Sequence, residues 1–129
     1  MIEVKKNIEE NIGKLGKIGF EKGYYIYVGS AQSGVEKRVE RHLKKEKRKF
    51  WHIDYLLSNE NVLINEIYWK EGKKEGECKT AEKLLRYGKP ITNFGCSDCG
   101  CKSHLFKINP LEIKLVLDRV NFLLFPKVK

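Results

Sequence analysis

No apolar run in this chain approaches the roughly 18 residues that a membrane-crossing helix needs. The opening residues, MIEVKKNIEE, do not combine a basic head with an apolar stretch as a secretory leader does. Membrane partners and export are thus not expected, and the sequence predicts a cytoplasmic protein. Acidic residues are in deficit: 17 Asp and Glu face 26 Lys and Arg, a formal net charge of +9. A polyanion such as nucleic acid, whose phosphates dominate binding energy, is the expected partner. Cysteine is also scarce. Four cysteines in a reducing compartment are better read as thiols or metal ligands than as a disulfide framework.

What is present fits one domain: 129 residues, 41% of them hydrophobic, with no linker or repeat. The patterning predicts a short strand over 2–6, a glycine-punctuated stretch to 23, a strand over 24–29 and a helix over 34–48. A short buried helix is predicted over 50–58, a strand over 62–69 and a helix over 77–87 that Gly88 and Pro90 end. Pro110 can open a final helix reaching about Phe122. The result is an α+β domain, a small sheet flanked by helices.

The segment GYYIYVGSA, 23–31, places three of six tyrosines in four positions. Strand alternation puts Tyr25 and Tyr27 on one face and Tyr24, Ile26 and Val28 on the other. In the helix that follows, Val35, Val39 and Leu43 form the apolar stripe at about 100° per residue. Lys37, Arg41, Lys44 and Arg48 fall roughly opposite it, on a solvated face. Arg38, His42, Lys45 and Lys49 fall beside it, where helix meets sheet and a cleft would form. Arg38 is therefore the better candidate for holding an anion.

The segment YVGSAQSGVEKRVERH resembles the second half of the GIY-YIG nuclease signature. Tyr27-Val28-Gly29 matches its YIG element, Arg38 its helix arginine, and His42 follows one turn later. With WHIDYLL, the Glu77-Cys78 pair and FGCSDCGCKSHLF, residues 12–107 resemble the small Uri-type endonucleases of that superfamily. The resemblance implies a three-stranded antiparallel sheet with flanking helices over residues 1–107, and 108–129 as a C-terminal helical extension. It also implies a metal-dependent endonuclease acting on DNA, with RNA open as a substrate.

In that reading Tyr27 orients or deprotonates water, with Tyr25 its neighbour on the same face, and Arg38 pairs with non-bridging phosphate oxygens. His42 assists proton transfer or binds phosphate. Glu77 holds Mg²⁺ or Mn²⁺, with Glu82 the alternative carboxylate on the same helix. Gly29, Ser30, Lys45, Lys49 and Asn93 would contact nucleic acid. Asn93 matches the superfamily's terminal asparagine or is an ordinary turn residue. The family's first motif, Gly-x-Tyr on the opening strand, has no counterpart, since no tyrosine precedes Tyr24. The expectation is that this strand begins upstream, or that Tyr25 substitutes. An alternative follows: a nucleic-acid-binding module that has lost catalysis.

The segment GCSDCGCKSH holds Cys96, Cys99, Cys101 and His104, a donor set suited to Zn²⁺ but crowded into nine residues. Cys78, from a second element, can replace Cys96. A structural zinc on Cys78, Cys99, Cys101 and His104 competes with a loop of buried thiols. In WHIDYLL, His52 and Asp54 are about 200° apart on a helix and do not share a site; Asp54 caps or pairs with a basic residue. Apolar positions 113, 116, 117, 120, 123 and 124 form a stripe that docks on the domain or on a second copy as a homodimer.

Overall fold

A computed structural model describes residues 1–29, 34–44, 49, 51–70, 75–96, 101–119 and 122–124. The elements run β1 (Ile2–Val4), β2 (Ile8–Asn11), a 3₁₀ turn (Gly13–Leu15), β3 (Lys17–Phe20), β4 (Gly23–Tyr27), α1 (Val35–Leu43) and α2 (His52–Leu57). They continue as β5 (Val62–Ile64), β6 (Tyr68–Trp69), α3 (Glu75–Leu84), β7 (Gly88–Pro90), β8 (Leu105–Ile108), α4 (Pro110–Arg119) and β9 (Leu123–Leu124). The chain is an α+β protein with antiparallel sheets.

The main sheet has five strands in the order β5-β1-β4-β8-β7, not three. The two extra strands are three-residue edges, β5 against β1 and β7 against β8. Pro90 is tolerated on β7 because an edge strand has N–H groups that need no ladder partner. Gly88 is required there, since a Cβ would lie 2.8 Å from Ile108 Cγ2 and 3.0 Å from the Lys107 carbonyl oxygen. Gly88 and Pro90 thus build a sheet edge rather than ending the helix, which stops at Leu84 instead of the expected 87. The strand expected over 62–69 is broken in two because its halves change partner: β5 pairs with β1, β6 with β9. Between them, Asn65 N–H donates to the Met1 carbonyl at 2.9 Å. The glycine-punctuated stretch after β1 is a β2–β3 hairpin.

Alternation along β4 follows the pattern read from the sequence. Tyr25 is buried with Ile2, Val4, Phe20, Ile53, Leu56, Phe94 and Leu105, on the side covered by α2 and the hairpin. Ile26 and Val28 join Ala81, Leu84, Phe106, Ile113 and Leu117 on the side covered by α3 and α4. Each fully buried side chain of this size contributes about 1.5–3 kcal/mol. Residues beyond 107 are part of this second core through Ile113 and Leu117, and 123–124 form a strand where the stripe implied helix. Leu111 and Leu115 remain outward, 78% and 65% exposed. Among the described residues, no helix is long and apolar enough to cross a membrane.

Candidate functional site

Two groups of side chains flank the end of β4, where Tyr27 pairs with Leu105 and Val28 N–H donates to the His104 carbonyl at 2.9 Å. This ladder seats α1 on one side of residues 27–29 and the segment leading into β8 on the other. A cleft of about 790 Å³ opens there, lined among others by Tyr27, Gly29, Arg38, His42 and Glu77.

On the α1 side, Arg38 donates from Nε to His42 Nε2 at 3.1 Å. Its guanidinium carbon lies 4.1 Å from the centre of the Trp51 ring, a cation–π contact. The Tyr27 and His42 rings meet edge to face, with centroids 6.2 Å apart. Gly29 is what lets the arginine lie so close. A Cβ there would fall 3.0 Å from Arg38 Nη2 and 3.3 Å from Tyr27 Cε2.

The Tyr27 phenol is pushed up to about 12. Burial is the largest cause; Arg38 opposes it, while the carboxylates of Glu77 and Asp54 add to it. Tyr27 is therefore a neutral hydrogen-bonding group at neutral pH. Of the two roles expected for it, orienting water fits this environment better than deprotonating it.

Arg41 is not on a solvated face. Its two terminal nitrogens each donate to an oxygen of Asp54 at 2.7 Å, and its guanidinium carbon lies 4.2 Å from the Trp51 ring centre. Asp54 is completely buried and also accepts Trp51 N–H at 2.8 Å, closing the first turn of α2. This fork-to-fork pair is the geometry that satisfies a buried carboxylate. Asp54 thus both caps and pairs, and His52 stands apart from it, accepting Gly95 N–H on Nδ1 at 2.8 Å. Sequence reasoning missed Arg41 and the Trp51 platform. The signal was an acid, Asp54, in the first turn of a predicted helix, where its carboxylate can accept the N–H that opens the helix and a further donor.

On the other side, Glu77 and Cys78 stand on α3, facing Cys101 and His104. His104 Nδ1 lies 2.8 Å from Glu77 Oε1, and its Nε2 is 4.0 Å from Cys78 Sγ. The donor atoms of Cys78, Cys101 and His104 all lie within 4.8 Å of one another, a candidate metal site. Cys96 is turned elsewhere, its thiol 3.5 Å from the Phe94 carbonyl.

The remaining expected residues scatter. Tyr25 is 1% exposed and its hydroxyl donates to the Glu21 carbonyl at 2.7 Å, so the face it shares with Tyr27 does not bring it to the cleft. Glu82, the alternative carboxylate, is exposed and outside the cleft lining. Asn93 is an exposed turn residue at φ 64°, its N–H donating to the Lys102 carbonyl at 2.8 Å. Lys49 is exposed, with Nζ 5.5 Å from the centre of the Tyr55 ring. Ser30, Lys45 and Cys99 lie outside the described residues.

No curated protein and no solved structure matches this chain. A family model described as Domain of unknown function DUF123 matches residues 1–121, across the end of β8 and through α4. The chain belongs to that family.

Proposed function

We propose that this protein is a metal-dependent endonuclease that hydrolyses phosphodiester bonds in DNA, built on a GIY-YIG-like site. The observation that carries this reading is the convergence of Tyr27, Arg38, His42 and Glu77, from β4, α1 and α3, on one cleft. The short β1, β4 and β8 strands with their flanking helices suit the same reading, β5 and β7 being additions at the edges.

Hydrolysis of a phosphodiester needs a positioned water and a cation against the charge that grows on the non-bridging oxygens. Arg38 supplies the cation. Its direction is set by the Trp51 ring and by His42 at Nε, which orient the guanidinium before substrate arrives. His42 is in this sense a positioning residue. Tyr27, held as the neutral phenol, offers an O–H to a phosphate oxygen or to the attacking water. A single carboxylate beside substrate phosphate is a donor set that Mg²⁺ or Mn²⁺ accepts, and Glu77 is the one that would hold it. Such an ion, when bound, supplies positive charge and an acidified water. The net charge of +9 favours the approach of a nucleic acid.

Cleavage of labelled duplex, flapped, branched and single-stranded substrates in Mg²⁺ or Mn²⁺ tests the assignment. Glu77→Ala is expected to abolish product, while Glu82→Ala leaves it within about twofold of the parent. The converse pattern would move the metal to Glu82.

A second reading is a nucleic-acid-binding module without catalysis. What favours it is β1, whose Ile2, Glu3 and Val4 bring no phenol beside β4, together with the enclosed hydroxyl of Tyr25. It predicts salt-sensitive binding that survives Glu77→Ala, with no metal-dependent product.

A further inference from the structure

The thiol and imidazole cluster has no role in the hydrolytic scheme. Cys78 reaches it from α3, while Cys101 and His104 reach it from the segment entering β8, so two elements distant in sequence meet over three ligand atoms. His104 is 2% exposed. Glu77 Oε1 lies 2.8 Å from Nδ1, an ion-pair distance, and Nε2 lies 4.0 Å from Cys78 Sγ. A carboxylate behind a histidine in this way is the usual support of a metal-ligating imidazole: it fixes the tautomer, orients the ring and raises its basicity.

We propose that Cys78, Cys101 and His104 bind one thiophilic divalent ion of the zinc class, with Glu77 as the supporting carboxylate of His104. At ordinary zinc–sulfur and zinc–nitrogen bond lengths, a tetrahedral ion separates an S and an N ligand by about 3.6 Å. The 4.0 Å found between Cys78 and His104 needs a contraction of only a few tenths of an ångström. Sulfur donors select zinc over magnesium or calcium, which favour oxygen. Cys96 takes no part, its thiol facing the Phe94 carbonyl.

The bound ion ties α3 to the start of β8. Because Glu77 also lines the cleft, the same ion holds that carboxylate in place from behind. The soft ion and a phosphate-associated hard ion thus share one side chain without sharing a site. The inference does not depend on the hydrolytic reading, because occupancy is read without any cleavage assay.

The test is titration of the intact, reduced, metal-stripped protein with Co²⁺ and then Zn²⁺. One Co²⁺ per chain is expected, with tetrahedral d–d bands and thiolate charge-transfer absorption from two or more sulfurs, displaced by one Zn²⁺. Cys78→Ser and Cys101→Ser are expected to lose most of that absorption and Cys96→Ser none. Glu77→Gln should keep the stoichiometry while weakening zinc by about 10–100-fold. Absence of uptake at one per chain by the reduced parent, or uptake unchanged in Cys78→Ser, overturns the site. If the serine variants do not fold, thiol labelling of the parent decides. Zinc must slow labelling of Cys78 and Cys101 but not Cys96, and equal labelling with and without zinc overturns it.

Discussion

The two walls beside the end of β4 are made from different chemistry. The α1 wall draws on residues 38–54, close in sequence, and directs its charges at protein: Arg41 to Asp54, and Arg38 to His42 and the Trp51 ring. The α3 wall joins residues 77–78 to 101–104 and gathers the ligand atoms of Cys78, Cys101 and His104, a candidate metal site. The first is preorganised by aromatic and ionic contacts. The second has donors convergent enough to be completed by something that is not protein. In the proposed reading, the cleft between them offers a cation to a phosphate from one side and a carboxylate to a hard ion from the other.

The largest difference between the two walls is expected on substitution of Asp54. Asp54→Ala leaves Arg41 without its carboxylate and opens the first turn of α2. Because Arg41 is 28% exposed, the loss should fall below that of a fully buried pair, at about 2–4 kcal/mol in urea unfolding. Zinc uptake on the other wall should be unchanged, since neither Cys78, Cys101 nor His104 touches that pair. Loss of both together would mean that the walls form one unit.

A smaller effect is expected at Gly29. In Gly29→Ala the new methyl meets the end of the Arg38 side chain and the edge of the Tyr27 ring, so stability should fall by about 1 kcal/mol. Displacing Arg38 should cost more in cleavage than in stability, at about tenfold. Equal losses would assign the glycine to packing alone.

Alkaline titration gives the gentlest probe. Tyr25 and Tyr27 are both raised to about 12, burial being the first cause for each. In the unfolded chain they titrate near 10, so between about pH 10 and 12 the folded state holds more protons than the unfolded one. Stability from these phenols is complete below about pH 10 and is lost as pH rises through about 12. Tyr27→Phe should flatten that decline in unfolding experiments across the range. A decline unaltered in the variant would place the titration elsewhere.

Much of the arrangement could be read from residue pattern. Alternation along GYYIYVGSA sorted the two faces of β4 correctly, because a strand fixes side-chain direction by parity. The helical wheel placed Arg38 and His42 at the margin of α1, and their contact at 3.1 Å follows from the i, i+4 spacing. The same wheel misplaced Arg41. It reports where a Cα–Cβ bond starts, and a long side chain can swing its guanidinium over a neighbouring ring. The three-residue edge β7 was illegible because it carries too little periodicity, β8 was not read as a strand although it lies inside the sheet, and the break at 65–67 depends on a change of partner that no local pattern encodes. Cys78 joined Cys101 and His104 for a reason sequence supplies only as an option: α3 must first pack on the sheet before residue 78 can meet residue 104. Tyr25 shows the limit of parity, which gives a face but not the depth at which a hydroxyl ends.

In the proposed mechanism Arg38, braced by Trp51 and His42, supplies the cation for phosphodiester hydrolysis. Single-turnover cleavage of a branched DNA substrate in Mn²⁺, measured beside equilibrium binding of the same DNA for the parent and Arg38→Ala, tests it most directly. Expected are cleavage by the parent, a loss of about 10²–10³-fold in the variant, and binding weakened by less than about tenfold. Cleavage by the variant at the parental rate would contradict it.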